Sequence, residues 1–136
     1  MKTQITPYLN FNGKCREAMT FYHDCLGGEL MLQPVAESPM AAQLPSEAGH
    51  NILHSTLTQG DISLMASDMI GSALMPGNAI GLCLHCHTDE EISQYFNKLA
   101  VGGLVKMPLH QTFWGATYGE LTDKFGTNWM FNFTKS

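Results

Sequence analysis

An α+β fold made of two copies of one βαβββ module is predicted by three observations. The stretch PYLNFNGKCREAMTFYHDCLGGEL (7–30) returns in outline as LCLHCHTDEEISQYFNKLAVGGLV (82–105), so that Gly27-Gly28 falls on Gly102-Gly103 at a shift of 75 residues. Leu9 then meets Leu84, Phe21 meets Phe96 and Leu26 meets Val101. Each copy reads as strand, helix and strand, and further strand-like runs follow. A period this long, present only twice, is not a solenoid. Half the chain is too short to bury a good core alone, so the two halves are expected to form one domain.

The elements follow in order. Ile5 to Phe11 alternates, with Ile5, Leu9 and Phe11 on one side and Thr6, Tyr8 and Asn10 on the other, which is a strand with one dry face. Asn12-Gly13 ends it. Cys15 to Leu26 is a helix, because Ala18, Met19, Tyr22 and Leu26 recur at steps of three and four. Gly27-Gly28 stops it with the backbone freedom a helix C-terminus needs. Leu30 to Val35 is a short strand, and Pro34, which has no N–H to give, belongs at an edge or a strand end. Ala36 to His50, with two prolines and a glycine, is a loop. Ile52–Thr58 and Ile62–Ser67 are strands joined through Gln59-Gly60-Asp61, a hairpin signal.

After a Gly/Pro-containing linker the pattern restarts. The expected division of the single domain is module one at 1–68, linker at 69–78 and module two at 79–136. Ile80 to His87 is the first strand of the second copy. Thr88 and Glu91 form a capping box for a helix that runs to Ala100 and stops at Gly102-Gly103. Val105–Leu109, Trp114–Thr122 and Asn128–Thr134 are the last strands, with a turn over Asp123 to Gly126.

Composition bounds the function. The chain has 136 residues, 44% hydrophobic and 14% charged, and a net charge of −5, which describes a globular chain. Seven scattered Lys and Arg do not make the basic surface that nucleic acid requires. No apolar run reaches the ~18 residues that cross a bilayer, and the start lacks the apolar core of a signal peptide. A cytoplasmic protein with no membrane or nucleic-acid partner is expected. The four cysteines are expected to be free thiols.

Alternation also sorts the side chains by face. Leu82, Leu84 and Cys86 belong under the helices, as do Leu121, Trp129, Phe131 and Phe133. The other side keeps Thr6, Tyr8, Asn10, His54 and Thr56 in the first module. In the second it keeps Gly81, Cys83, His85, His87, Trp114, Ala116, Tyr118, Glu120, Asn128, Met130 and Asn132. A face with this many aromatics and almost no charge reads as the lining of a pocket; the plainer alternative is a face that meets solvent.

The residues Tyr8-Leu9-x-Phe11-x-Gly13-x-Cys15-x-Glu17-Ala18-x-x-Phe21-Tyr22 and Leu26-Gly27-Gly28 carry a resemblance across nearly the whole chain. So do His54-x-x-Leu57, Ser67-Asp68, Met107-Pro108-Leu109, Thr112-Phe113-Trp114-Gly115 and Thr122-Asp123-Lys124-Phe125-Gly126-x-x-Trp129-Met130-x-Asn132. The chain resembles the vicinal oxygen chelate superfamily of glyoxalases, bleomycin-resistance proteins and dioxygenases, in its PhnB-like branch. The resemblance implies curled mixed sheets around a cavity and a homodimer. It places the superfamily's metal ligands at Thr6, Leu64, Gly81 and Met130, none of which is a usual ligand of a divalent ion. Members of the branch are also labelled as ubiquinone-pathway methyltransferases, yet the sequence has no Gly-rich βα turn followed by an acidic residue to hold a nucleotide cofactor.

Each candidate residue has a plainer reading beside it. Cys83-x-x-Cys86 has a zinc-knuckle spacing, but on a strand its two sulfurs point to opposite faces. His85 and His87 share a face and could hold an ion, or simply form hydrogen bonds. His54 is a candidate acid or base near neutral pH, or a wall residue. Glu120 is a candidate base if burial raises its pKa, or a rim carboxylate. Trp114 and Tyr118 can stack on a planar ligand or fill space. Asn10 and Asn132 can orient a ligand or pair with each other.

The expected function is binding of a small molecule by Tyr8, Asn10, His54, His85, Trp114, Tyr118, Met130 and Asn132, with no cofactor and no metal ligand. The alternative is a metal-dependent lyase, isomerase or dioxygenase-type enzyme that uses His54 and Glu120, with a divalent ion.

Overall fold

The computed structural model describes residues 3–43, 49–69 and 73–135. The fold is α+β: the element order gives two βαβββ modules, each with a four-stranded mixed sheet and one helix. The first module has β1 (Tyr8–Phe11), α1 (Cys15–Leu26), β2 (Glu29–Pro34), β3 (Ile52–Gln59) and β4 (Ile62–Asp68). The second has β5 (Leu82–His85), α2 (Asp89–Ala100), β6 (Leu104–Gln111), β7 (Ala116–Thr122) and β8 (Asn128–Thr134). Strand orders are β1-β4-β3-β2 and β5-β8-β7-β6, the same topology twice. In each sheet the first strand runs parallel to the last and all other pairs are antiparallel. The chain divides into two compact units, Met1–Met75 and Pro76–Ser136.

Helix α1 forms where the apolar spacing demands. Cys15, Ala18, Met19, Tyr22, Cys25 and Leu26 are all buried on one stripe. Its start is held from a distance: the buried Asp68 carboxylate at the end of β4 accepts the Cys15 N–H at 3.0 Å and the Ile52 N–H at 2.8 Å. One acid thus satisfies an orphan donor of the first helical turn and a strand donor. Helix α2 buries Ile92, Phe96 and Leu99. Its cap is local. Thr88 Oγ1 accepts the Glu91 N–H at 3.0 Å, and Glu91 reaches back to the His87 N–H at 3.0 Å, one residue earlier than the usual capping box.

Both helices end where the second glycine of a pair lies against a strand carbonyl. A Cβ on Gly28 would collide with Thr58 O, and one on Gly103 with Thr122 O. The doubled Gly-Gly therefore marks the same close approach of backbones in the two modules.

Several expectations are corrected. Strand β1 starts at Tyr8, and Ile5, expected in the core, is 97% exposed ahead of it. Strand β5 is also shorter than expected, at four residues. Trp114 lies in the turn before β7, and Ala116, expected on the free side, is buried. That turn closes tightly: Thr112 N–H donates to Ala116 O at 2.8 Å, and Thr112 Oγ1 accepts the Ala116 N–H at 3.0 Å. Val35, expected to end the strand, instead opens a 3-10 turn over Val35–Glu37, and part of the expected loop is 3-10 helical over Pro39–Gln43. Residues 44–48 of that loop and 70–72 of the linker lie outside the described residues.

Pro34 ends the edge strand β2, at a register shift where Gln33 faces His54 and Pro34 faces Ile52. Leu53 is the extra residue of this bulge. The kink lets Ile52 be buried although it shares the parity of His54. Among the described residues no helix is long and apolar enough to cross a membrane.

Candidate functional site

Each sheet buries one face under the helix of its own unit, and its other face carries no helix of that unit. In the first sheet the free face carries Tyr8 and Asn10 of β1, His54 and Thr56 of β3, and Met65 and Ser67 of β4. Strand β4 lies between the other two, with Tyr8 and Thr56 both opposite Met65. The Tyr8 and His54 rings face each other across it, centroids 6.2 Å apart and tilted by 31°. His54 is half-buried; Tyr8 and Asn10 are exposed.

The second sheet repeats the arrangement with richer chemistry. Cys83, Met130, Glu120 and Met107 form one row across its four strands. His85, Asn132, Tyr118 and His110 form the next. Tyr118 Oη donates to Glu120 Oε2 at 2.9 Å. Burial, and then the carboxylate that accepts its proton, push the Tyr118 phenol up to about 12. It therefore stays a hydrogen-bond donor throughout the neutral range. Trp114 stands at 66° to Tyr118, with centroids 6.3 Å apart, and the residue is 57% exposed. Asn132 Nδ2 lies 3.5 Å from His85 Nδ1 and 3.3 Å from Thr134 Oγ1. Thus His85, Tyr118, Glu120, Met130 and Asn132 come together on one sheet, with Trp114 in the turn beside Tyr118. Tyr8, Asn10 and His54 belong to the other.

The most specific stretch of the resemblance, Thr122 to Trp129, is architectural. Asp123 Oδ1 accepts the N–H groups of Phe125 and Thr127 at 2.8 and 3.1 Å, and its Oδ2 accepts Trp129 Nε1–H at 2.7 Å. One buried carboxylate closes the β7–β8 turn and fixes the indole beneath it. Cys83 and Cys86 do face opposite ways, one exposed and one buried, and all four cysteines are free thiols.

The placement of Leu64 as a ligand position is wrong by one residue. Leu64 is buried opposite Leu57, and Met65 holds the place in the first sheet that Met130 holds in the second. Met65 lies five residues after Gly60, whereas Met130 lies four after Gly126. Counting from the turn glycines therefore slips the register, and a slip of one flips the side chain to the other face.

The remaining positions do not suit a hard divalent ion. Gly81 brings no donor, and Met130 Cε lies 3.4 Å from where a Gly81 Cβ would be. A thioether fills the space that a ligand side chain would take, and thioethers favour soft ions. Among the described residues no three His, Cys, Asp or Glu side chains converge to hold a metal.

Comparison with known proteins gives consistent relatives. The family model described as 3-demethylubiquinone-9 3-methyltransferase matches residues 3–131. Protein YjdN of Escherichia coli is 32% identical over 96% of this chain and 95% of its own. The crystal structure of protein PA1353 from Pseudomonas aeruginosa is 40% identical, covers 99% of this chain and 100% of its own, and has a TM-score of 0.89. A putative 3-demethylubiquinone-9 3-methyltransferase, PhnB protein, from Bacillus cereus is 28% identical, covers 97% and 100%, and has a TM-score of 0.78. At 13% identity, a glyoxalase/bleomycin resistance protein/dioxygenase family enzyme from Burkholderia phytofirmans PsJN shares the fold, with a TM-score of 0.62 over 94% of this chain and 97% of its own.

Proposed function

Because the chain belongs to the family described as 3-demethylubiquinone-9 3-methyltransferase, the PhnB-like branch of the glyoxalase/bleomycin resistance/dioxygenase superfamily, we propose that it binds a small organic molecule against the helix-free faces of its sheets, without the superfamily's usual metal. The observation that carries this reading is the second sheet's patch of half-buried Tyr118, Glu120, Met130 and Asn132, from two adjoining rows, beside an exposed Trp114. Large apolar surface with a few oriented polar groups is the composition of a small-molecule site.

We assign binding roles rather than acid–base roles to His54 and Glu120. A catalytic imidazole has its tautomer fixed by a hydrogen bond to its second nitrogen; among the described residues no carboxylate or carbonyl makes one to His54. Glu120 is paired with a phenol that stays protonated. We assign no methyl transfer either. The two βα turns, where a nucleotide-type donor would meet helix N–H groups, are closed by the chain's own Asp68, Thr88 and Glu91.

The test is a ligand-observed NMR screen of planar aromatic fragments, with elemental analysis of the purified protein. Fragments are expected to bind, and Trp114→Ala to weaken them about fivefold, the scale of a lost aromatic contact. Trp114 is largely exposed, so its removal spares the core. Unchanged fragment binding in that variant would sink the reading, as would stoichiometric zinc or nickel.

A further inference from the structure

We infer that the second sheet selects an organic cation, an ammonium-type group carried on an aromatic or other flat apolar body. The inference rests on the small-molecule reading above and names the ligand class. It begins with hydrogen-bond accounting at Tyr118 and Glu120. The phenol has one proton and gives it to Glu120 Oε2 at 2.9 Å. What the pair then offers outward is acceptors only: the Tyr118 oxygen lone pairs and Glu120 Oε1. A ligand that meets them must bring donors, and one that neutralises a carboxylate must bring positive charge.

Among the described residues no Lys, Arg or His forms an ion pair with Glu120. The ion pairs among the described residues join Lys14 to Glu17 and His23 to Asp24, far from this sheet in sequence. Lys106 on β6 is exposed and makes no ion pair with Glu120. Glu120 is half-buried in a row with Met107, Met130 and Cys83, so its charge is less screened than that of a surface carboxylate.

The aromatic partners suit a cation as well. Trp114 and Tyr118 meet edge to face, and Phe113 meets Trp114 at 90° with centroids 4.9 Å apart. An indole on an exposed residue attracts a cation through its quadrupole and the flat body through stacking. Carboxylate, phenol oxygen and indole face thus ask for the same ligand: positive, donor-bearing, with a flat apolar part.

Three probes of one size separate the possibilities: 2-phenylethylammonium, 2-phenylethanol and 3-phenylpropionate, titrated into the whole protein and followed by its amide NMR shifts. The cation is expected to bind at least about tenfold tighter than the anion, with the alcohol between, since one charge-assisted contact is worth about a factor of ten. Glu120→Gln, which keeps the shape, should bring cation and anion within about twofold of each other. Tyr118→Phe should weaken the cation more than the anion. Trp114→Ala should weaken all three. Circular dichroism melting confirms that each variant folds. If all three bind alike and respond to Trp114→Ala, the small-molecule reading stands and the cation inference falls. It falls equally if the anion binds best or if Glu120→Gln leaves the preference intact. If none perturbs the second sheet, both readings fall together.

Discussion

Two buried acids in this chain, Asp68 and Asp123, do structural work. Asp123 holds two turn N–H groups and an indole N–H at once. Asp123→Asn replaces a carboxylate oxygen with a donor that faces other donors. It is expected to cost about 2 kcal/mol, the scale of a lost hydrogen bond to a charged group, read as a lower urea midpoint. The cysteines offer a second check. Burial, above all, pushes the Cys15 thiol up to about 11 and the Cys86 thiol up to about 12. Cys83, though raised by partial burial, is exposed. Iodoacetamide at about pH 8 should therefore modify Cys83 first, because thiolate formation and access both govern the rate; equal labelling of Cys15 or Cys86 would contradict the structure. The same shifts set a pH dependence. Folded thiol pKa values lie above the unfolded value of about 9, so their contribution is complete below pH 9. It is lost as the pH rises toward 11 and 12, and a urea midpoint that falls over that window is the measurement.

At the scale of elements, the duplicated helix ends make a comparison within one chain. Gly28 sits at φ 92° and both Gly28 and Gly103 lie where a Cβ would strike a strand carbonyl. Gly28→Ala and Gly103→Ala are each expected to cost about 2 kcal/mol or more, through strain and overpacking. Thr88→Ala removes only a cap, at about 1 kcal/mol. Chemical unfolding of the three variants should return that order, and a Gly28→Ala protein as stable as wild type would show that the two backbones are not in close approach. The elements themselves were legible. Helix α1 has the predicted ends, and both hairpin turns fall where glycine and aspartate stand. What slipped was where β1, β5 and β7 start, because the alternating pattern begins before the strand pairing does, which opens at Tyr8, Leu82 and Ala116.

At the scale of the whole chain, the expected solution state is a homodimer. Edge strand β6 is exposed along nearly its whole length, with Leu104, Val105 and Met107 among the exposed apolar residues, and unpaired strand edges invite a partner. Light scattering coupled to gel filtration should give twice the mass of one chain; a monomer at micromolar concentration would end that expectation.

The sequence alone determined the repeat, the class of fold, and which residues of each strand share a face, because periods of 2 and 3.6 are written directly in the apolar pattern. It therefore also put Tyr118, Glu120, Met130 and Asn132 on one side of one sheet. It did not determine that Tyr118 gives its proton to Glu120, that Asp68 reaches back to the start of α1, or that Met65 rather than Leu64 matches Met130. Those facts depend on strand register and on which distant groups meet. Only three-dimensional pairing decides them, since one extra residue in a turn reverses every side chain that follows.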